Sequence, residues 1–393
     1  MIKADVVNHT NLNHISFKGE PALKIAKVEP FPLYYRIPEP YGDANGIKTY
    51  RSSYMIRITT ADGVTGWGEC TDWLPTLHKG FQDQIIPDLI GNSALNRLQI
   101  VQTIQKRHAR AASAVSMALT EIFAKTCGIS ICDLWGGAFR DVVPVYASFQ
   151  SYHENPGWMQ ISLQNVEQAV SAGFRMIKVK VGGKSIQDDQ QHIVKIQDAI
   201  GHSTGLILDA NQSYDVAATL EWHSLLSGWS NVMWFEEPMP MQYAEHYTEL
   251  KRHFTVPLAG GENLKTAAEF APYLKGHCLD FVTPDPAHMT GIEKYRELLS
   301  MARNLNTRVT PHTYDGALSR LYAIFAQACL PPWSKMGSDS IEPVEWDVMD
   351  NPFTNVVPLQ PANGAVTIPG GPGLGLAIDE ELLTHYRWDG SSY

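Results

Sequence analysis

Cysteine is scarce in this chain: Cys70, Cys127, Cys132, Cys278 and Cys329 are five among 393 residues. They are scattered and odd in number, so neither a disulfide framework nor a zinc motif is implied, and a reducing compartment fits. Long apolar runs are missing too. None reaches the roughly 20 residues that a membrane helix needs. The first 22 residues are polar and lack the apolar core of a secretory signal. The expectation is a cytoplasmic protein with no membrane partner. Blocks of positive charge are also absent. With 31 Lys+Arg against 41 Asp+Glu the net charge is −10, which argues against a nucleic-acid partner. Low-complexity segments and internal repeats beyond the βα period are lacking as well.

What remains is a globular chain. At 44% hydrophobic and 393 residues it can bury a large core and fill two domains. Residues 1–22 read as a leader. Residues 23–143 read as an α+β capping domain. Tyr54–Thr59 and Val64–Glu69 flank Thr60-Ala61-Asp62-Gly63, a hairpin turn signal. Residues 78–130 look helical, with Ala111–Lys125 strongly periodic and Gly128 placed to end that helix.

Near Pro144 the rhythm changes to apolar strands alternating with amphipathic helices. Strands are expected near 144–149, 176–181, 206–210, 231–236, 256–260, 279–283, 307–311 and 339–344. Eight such units indicate an α/β chain with a (β/α)8-type barrel over residues 144–358. Residues 359–393, which carry the Gly/Pro-rich run 368–375, are expected to pack back on the capping domain.

Three acidic residues close successive apolar strands. Asp209, Glu236 and Glu262 fall 27 and 26 residues apart, and one strand with its crossover helix takes about 30 residues. That places each carboxylate at the C-terminal end of a barrel strand, the face where such barrels keep their chemistry. Three carboxylates together cannot all stay ionised without a cation, and an all-oxygen set suits Mg²⁺ or Mn²⁺.

Met176-Ile177-Lys178-Val179-Lys180-Val181 places two lysines at i and i+2, on one face of a strand. If both point inward, each disfavours the other's charge, so a lowered pKa and an amine base are expected. Asp285 ends the sixth strand and His312 the seventh. Such a carboxylate can orient the imidazole and raise its basicity. After them, either Glu342 or Glu345 could enter the site. A metal flanked by Lys180 and His312 from opposite sides of a barrel can acidify the proton α to a substrate carboxylate and stabilise the enediolate that follows.

At this point the chain resembles the enolase superfamily, and within it the mandelate racemase subgroup. The motifs are Lys178-Val179-Lys180, Asp209-Ala210-Asn211-Gln212-Ser213, Phe235-Glu236-Glu237-Pro238, Gly261-Glu262-Asn263, Asp285 and His312. Gly66-Trp67-Gly68-Glu69 and Leu134-Trp135-Gly136-Gly137 extend the likeness into the N-terminal domain, so it spans roughly residues 25–380. The resemblance implies Asp209, Glu236 and Glu262 as Mg²⁺ ligands. It implies Lys180 as one acid/base with Lys178 as its electrostatic neighbour, and His312 paired with Asp285 as the other. Glu345 is implied as the group that hydrogen-bonds the substrate carboxylate, with Glu342 as fallback, and Asn211 as a nearby contact. Acid-sugar dehydration is the implied reaction, with racemisation or epimerisation of a 2-hydroxy acid and cycloisomerisation of a sugar-acid lactone or anhydro sugar as alternatives. Relatives often form even-numbered assemblies, so a homo-oligomer is expected. One departure stands out. The muconate-lactonising branch has a catalytic lysine after the sixth strand, whereas residues 281–293 hold none and carry His288 there.

Substrate choice is expected to lie in the cap. Pro40–Gly46 reads as a lid loop, with Lys48, Tyr50 and Arg51 behind it for a distal hydroxyl or carboxylate. Thr71-Asp72-Trp73 is a second candidate loop. Trp73 and Trp346 are expected to stack on a sugar face. The polar character of these segments favours a polyhydroxylated acid as substrate.

Overall fold

The computed structural model describes residues 23–333 and 341–393. The expected leader and the first part of the expected eighth strand, 339–340, lie outside the described residues. Among the described residues no helix is long and apolar enough to cross a membrane.

The N-terminal unit is an antiparallel sheet built on one long hairpin, Ile25–Asp43 and Gly46–Thr60, extended by Thr65–Cys70. Helix Ala109–Cys127 packs across it and ends at Gly128, which takes a φ of 69° that favours glycine. Gly68 lets sheet and helix approach closely, because a Cβ there would overlap the Ala114 carbonyl. The segment Pro40–Gly46, expected as a loop, is the tip of this hairpin. The strands pair as far as Asp43 and Gly46, and Asn45 N donates to Asp43 Oδ1 at 2.8 Å.

Eight parallel strands follow, and their ranges define barrel strands 1 to 8: Val142–Ser148, Met176–Lys180, Gly205–Asp209, Val232–Glu236, Leu258–Gly260, Phe281–Val282, Arg308–Val309 and Val344–Asp347. Strands 7 to 1 pair in descending order, and strand 8 pairs with strand 1. Thr310 Oγ1 donates to the Pro343 carbonyl at 2.8 Å and Glu345 N to Pro311 O at 3.3 Å, so the free edges of strands 7 and 8 meet. Each of the first seven strands is followed by a helix. The eighth is followed by a short 3-10 turn, Pro352–Val356. Strand 8 starts only at Val344, where the sequence pattern places its end, so Glu345 lies inside it.

The barrel floor is apolar. Tyr146, Ile207, Trp234 and Ala259 are fully buried inside the strands, with Tyr146 and Trp234 edge to face at 5.7 Å. Two residues further along, the same inward faces carry Ser148, Asp209 and Glu236. The pleat thus seats a charged layer directly on a dry one.

The cap is held over the mouth of the barrel. Tyr41 and Gly42 pair with His153 and Tyr152, just past strand 1. Glu69 reaches from the cap to accept from Leu318 N at 2.7 Å, at the start of helix Ala317–Ala328, where a carboxylate is favoured. In the C-terminal segment, strand Ala365–Thr367 pairs with the start of strand 1. Further on, Trp388 N donates to Pro32 O and Tyr34 N to Tyr386 O, both at 2.9 Å.

Candidate active site

The carboxylates that end strands 3 and 4, and Glu262 just beyond strand 5, converge. Asp209, Glu236 and Glu262 offer oxygens that all lie within 4.8 Å of one another. Asp209 and Glu236 are fully buried. The fit to a hard divalent cation rests on two observations. Glu262 Oε2 is buried and takes no hydrogen bond, with His312 Nε2 at 3.3 Å. Burial, helped by the neighbouring carboxylates and opposed by Lys178, pushes Glu236 up to about 7. The trio therefore carries more negative charge than it can hold ionised by itself.

Lys178 and Lys180 both point inward. Lys178 Nζ, with no exposure, sits 2.7 Å from Glu345 Oε1, 3.2 Å from Asp209 Oδ2 and 3.4 Å from Glu236 Oε1. Lys180 Nζ donates to Asp209 Oδ2 at 2.6 Å. The expected lowering of the lysine pKa is corrected here. Burial does lower both lysines, but the carboxylates outweigh burial and mutual repulsion, so both are raised. The partner effect shows in Asp209. Burial would raise it, yet Lys180 and Lys178 hold it at about 2.

His312 Nδ1 lies 2.8 Å from Asp285 Oδ2. A carboxylate only accepts, so Nδ1 carries the proton and Nε2 faces Glu262 and Glu345, at 3.3 and 3.6 Å. Burial opposes its charge, but Glu262, Glu345 and Asp285 raise His312 to about 10, in the direction expected from its Asp partner.

Of the two candidate acids after strand 7, Glu345 enters the site. Ser148 Oγ donates to its Oε1 at 2.6 Å and Thr313 N to its Oε2 at 2.9 Å. Glu342 turns the other way and takes Arg308 Nη1 at 2.6 Å, at the start of strand 7. Burial would protonate Glu345, but Lys178 and His312 hold it well below the carboxylate range.

Asn211 adopts a φ of 43° just past strand 3. Its N–H supports Asp209 Oδ1 at 3.0 Å, while its own Oδ1 is buried without a partner. Lys48 Nζ lies 3.3 Å from Asp43 and 4.9 Å from the Tyr314 ring centroid, two residues past His312.

The other proposed substrate contacts are not brought into the cluster. Tyr50 packs among Tyr34 and Tyr393, and Trp73 lies against Tyr393. Trp346 faces outward from strand 8, as the residue beside an inward Glu345 must, with Arg320 4.0 Å over its ring. It cannot stack on a sugar. Arg51 is 3% exposed, and its nitrogens are bonded to protein acceptors.

Two positioning groups, Trp234 and Ser148, escape the sequence reading, and His288, noted there only for its place after the sixth strand, is a third. Trp234 Nε1 donates to Glu236 Oε2 at 3.0 Å, and its signal is the two-residue spacing that puts it on the same strand face as Glu236. His288 Nδ1 donates to the Glu262 carbonyl at 2.7 Å, and its ring stacks on His312 at 6.1 Å. Ser148 and its bond to Glu345 span 197 residues, which no local pattern records.

Comparison with known proteins agrees with this geometry. Residues 36–136 match the mandelate racemase / muconate lactonizing enzyme N-terminal domain, and residues 162–382 match the enolase C-terminal domain-like family. The chain is 28% identical to the D-galactarolactone cycloisomerase of Agrobacterium fabrum, over 93% of this chain and 99% of that one. It is 27% identical to the arabinonate dehydratase of Saccharolobus solfataricus, over 92% and 99%. A racemase structure from Streptomyces coelicolor with bound magnesium superposes with a TM-score of 0.81 at 23% identity, covering 93% of this chain and all of that one. Its dry-floored barrel, capping sheet and carboxylate trio, together with matches over both domains, place the chain in the mandelate racemase / muconate lactonizing enzyme family of the enolase superfamily.

Proposed function

We propose that the protein removes the proton α to the carboxylate of a sugar acid and then expels a β-hydroxyl, giving a 2-keto-3-deoxy acid. The observation that carries this reading is the convergence of three elements. An ammonium 2.6 Å from one member of a carboxylate trio and an imidazole 3.3 Å from another flank the same cluster. Asp209, Glu236 and Glu262 would hold Mg²⁺. Bound there, the cation would acidify the α-proton, stabilise the enediolate and offset the negative charge that keeps Lys180 protonated.

The remaining steps belong to this chain's own side chains. Lys180, once neutral, takes the α-proton on Nζ. Lys178, buried and charged, balances the negative charge that develops. His312 gives its Nε2 proton to the oxygen that leaves the β-carbon. Asp285 keeps the other ring nitrogen protonated and the ring oriented, and so readies the imidazolium as the acid. The C–O bond breaks as the C2–C3 double bond forms, and the resulting enol becomes the keto acid.

A second reading is favoured by the likeness to D-galactarolactone cycloisomerase. There the expelled oxygen belongs to a ring, and the same two residues open a sugar-acid lactone. The test is to incubate the purified protein, Mg²⁺ and a panel of sugar acids and their lactones, with mass detection of keto-acid products. A product lighter by one water supports dehydration, and an isomeric keto acid supports ring opening. Deuterium uptake at C2 with no keto acid points to a racemase. No turnover and no exchange on any acid removes the proposal.

A further inference from the structure

The Arg51 side chain joins the cap to both ends of the acid side of the site. It leaves hairpin strand Gly46–Thr60, paired with Tyr35, and is 3% exposed. Nε donates to Tyr41 Oη at 2.8 Å on the opposite hairpin strand. Nη1 donates to Asp315 Oδ1 at 2.8 Å, and Nη2 to Tyr314 Oη at 2.5 Å and Asp347 Oδ2 at 3.0 Å.

Each acceptor lies beside the chemistry. Tyr314 and Asp315 come two and three residues after His312. Asp347 lies two residues after Glu345 on strand 8, hence on the same inward face. Tyr41 Oη in turn donates to the Asp350 carbonyl at 2.8 Å, and Asn351 Nδ2 donates to Asp347 Oδ2 at 2.9 Å. One planar fork therefore grips the cap hairpin, the loop after strand 7 and the end of strand 8 together. Lysine, a point charge without the fork, cannot reproduce that geometry.

We propose that Arg51 is a positioning residue. It fixes the register of the cap hairpin, and of Asp43 and Lys48 at its tip, against His312 and Glu345, while none of its own bonds reaches the Lys180 strand. The end of that strand is tied through Asp189. Asp189 Oδ2 accepts from Gly182 N at 2.7 Å, and Asp189 Oδ1 accepts from Tyr152 Oη, also at 2.7 Å. The proposal rests on the reading of Lys180 as the base and His312 as the acid.

The test compares wild type with Arg51→Lys and Arg51→Gln. Wild-type deuterium exchange at the α-carbon and turnover first establish the reading itself; if neither occurs, that reading fails on its own account. Arg51→Lys keeps a charge beside Asp347, which guards against unfolding. Thermal melting and Mg²⁺ titration check that each variant is folded and loaded. In Arg51→Lys, α-proton exchange is expected to persist while kcat for product falls roughly ten- to a hundredfold, as a misplaced reacting group requires. Arg51→Gln is expected to fall further. Wild-type kcat and KM in Arg51→Lys would overturn the proposal. So would a parallel loss of exchange and turnover, which would make Arg51 a fold-holding residue only.

Discussion

Replacing Asp285 by asparagine isolates the acid half of the site. The substitution preserves shape. The asparagine side chain would still accept from Ala287 N, as Asp285 Oδ1 does at 2.7 Å. Its amide, however, would point a donor at His312 Nδ1, where the carboxylate accepts at 2.8 Å. The imidazole must then accept on Nδ1, and the imidazolium loses a charged partner. A hydrogen bond to a charged group is worth about 1.5–3 kcal/mol, which predicts a roughly ten- to hundredfold drop in kcat for keto-acid formation. Lys180 and the carboxylate trio make no contact with Asp285 that the change would break. Exchange of the α-proton and Mg²⁺ affinity should therefore survive. Steady-state kinetics, deuterium exchange and calorimetric Mg²⁺ titration read these separately. A variant with wild-type kcat, or one that loses Mg²⁺ as well, would refute the assignment of Asp285 as the orienting partner of His312.

Lys180→Ala and His312→Ala should each abolish net turnover in folded protein, and proton exchange surviving in His312→Ala alone would mark Lys180 as the abstracting base. Lys178→Met removes a buried cation that lies within 3.4 Å of both Asp209 and Glu236. Because unpaired buried charge is costly, denaturant unfolding in chelator should show a loss of about 3–5 kcal/mol, partly recovered on adding Mg²⁺; equal stability with and without the substitution would contradict this. His192 is fully buried against Ser162, and burial, with a small effect of Lys195, depresses it from 6.5 to about 4. The unfolded chain therefore binds a proton first as pH falls, so native stability is intact above about pH 6.5 and is lost towards pH 4, by about 2 kcal/mol at pH 5. Unfolding of His192→Gln measured from pH 7 to pH 5 should lack that slope, and an unchanged slope would show that another group titrates.

The carboxylate trio and the lysine and histidine that flank it are legible because the βα period spaces them. Asp209, Glu236 and Glu262 each close one unit, and Lys178 and Lys180 share a strand face by the two-residue repeat. The choice between Glu345 and Glu342 is not legible. It depends on where strand 8 begins, and its start at Val344 turns Glu345 inward and leaves Glu342 to Arg308. The charge state of Lys180 is hidden because the two-lysine pattern shows the repulsion, while the carboxylates that outweigh it come from other strands. Arg51 and Trp346 look free in sequence. Their burial is set by packing between distant segments, as in the bond from Arg51 to Asp347, 296 residues away. The tip at Pro40–Gly46 reads as a loop because of its glycines. Gly42 is instead required by the tight pairing, where a Cβ would overlap the Gly46 carbonyl.

The central claim is that Asp209, Glu236 and Glu262 grip one divalent cation. Its most direct test is calorimetric titration of chelator-stripped protein with Mg²⁺, wild type beside Glu236→Gln. One ion bound per chain in the wild type, with affinity lost in the variant, is the predicted result. A wild type that binds no Mg²⁺, or a variant that binds it unchanged, would contradict the assignment.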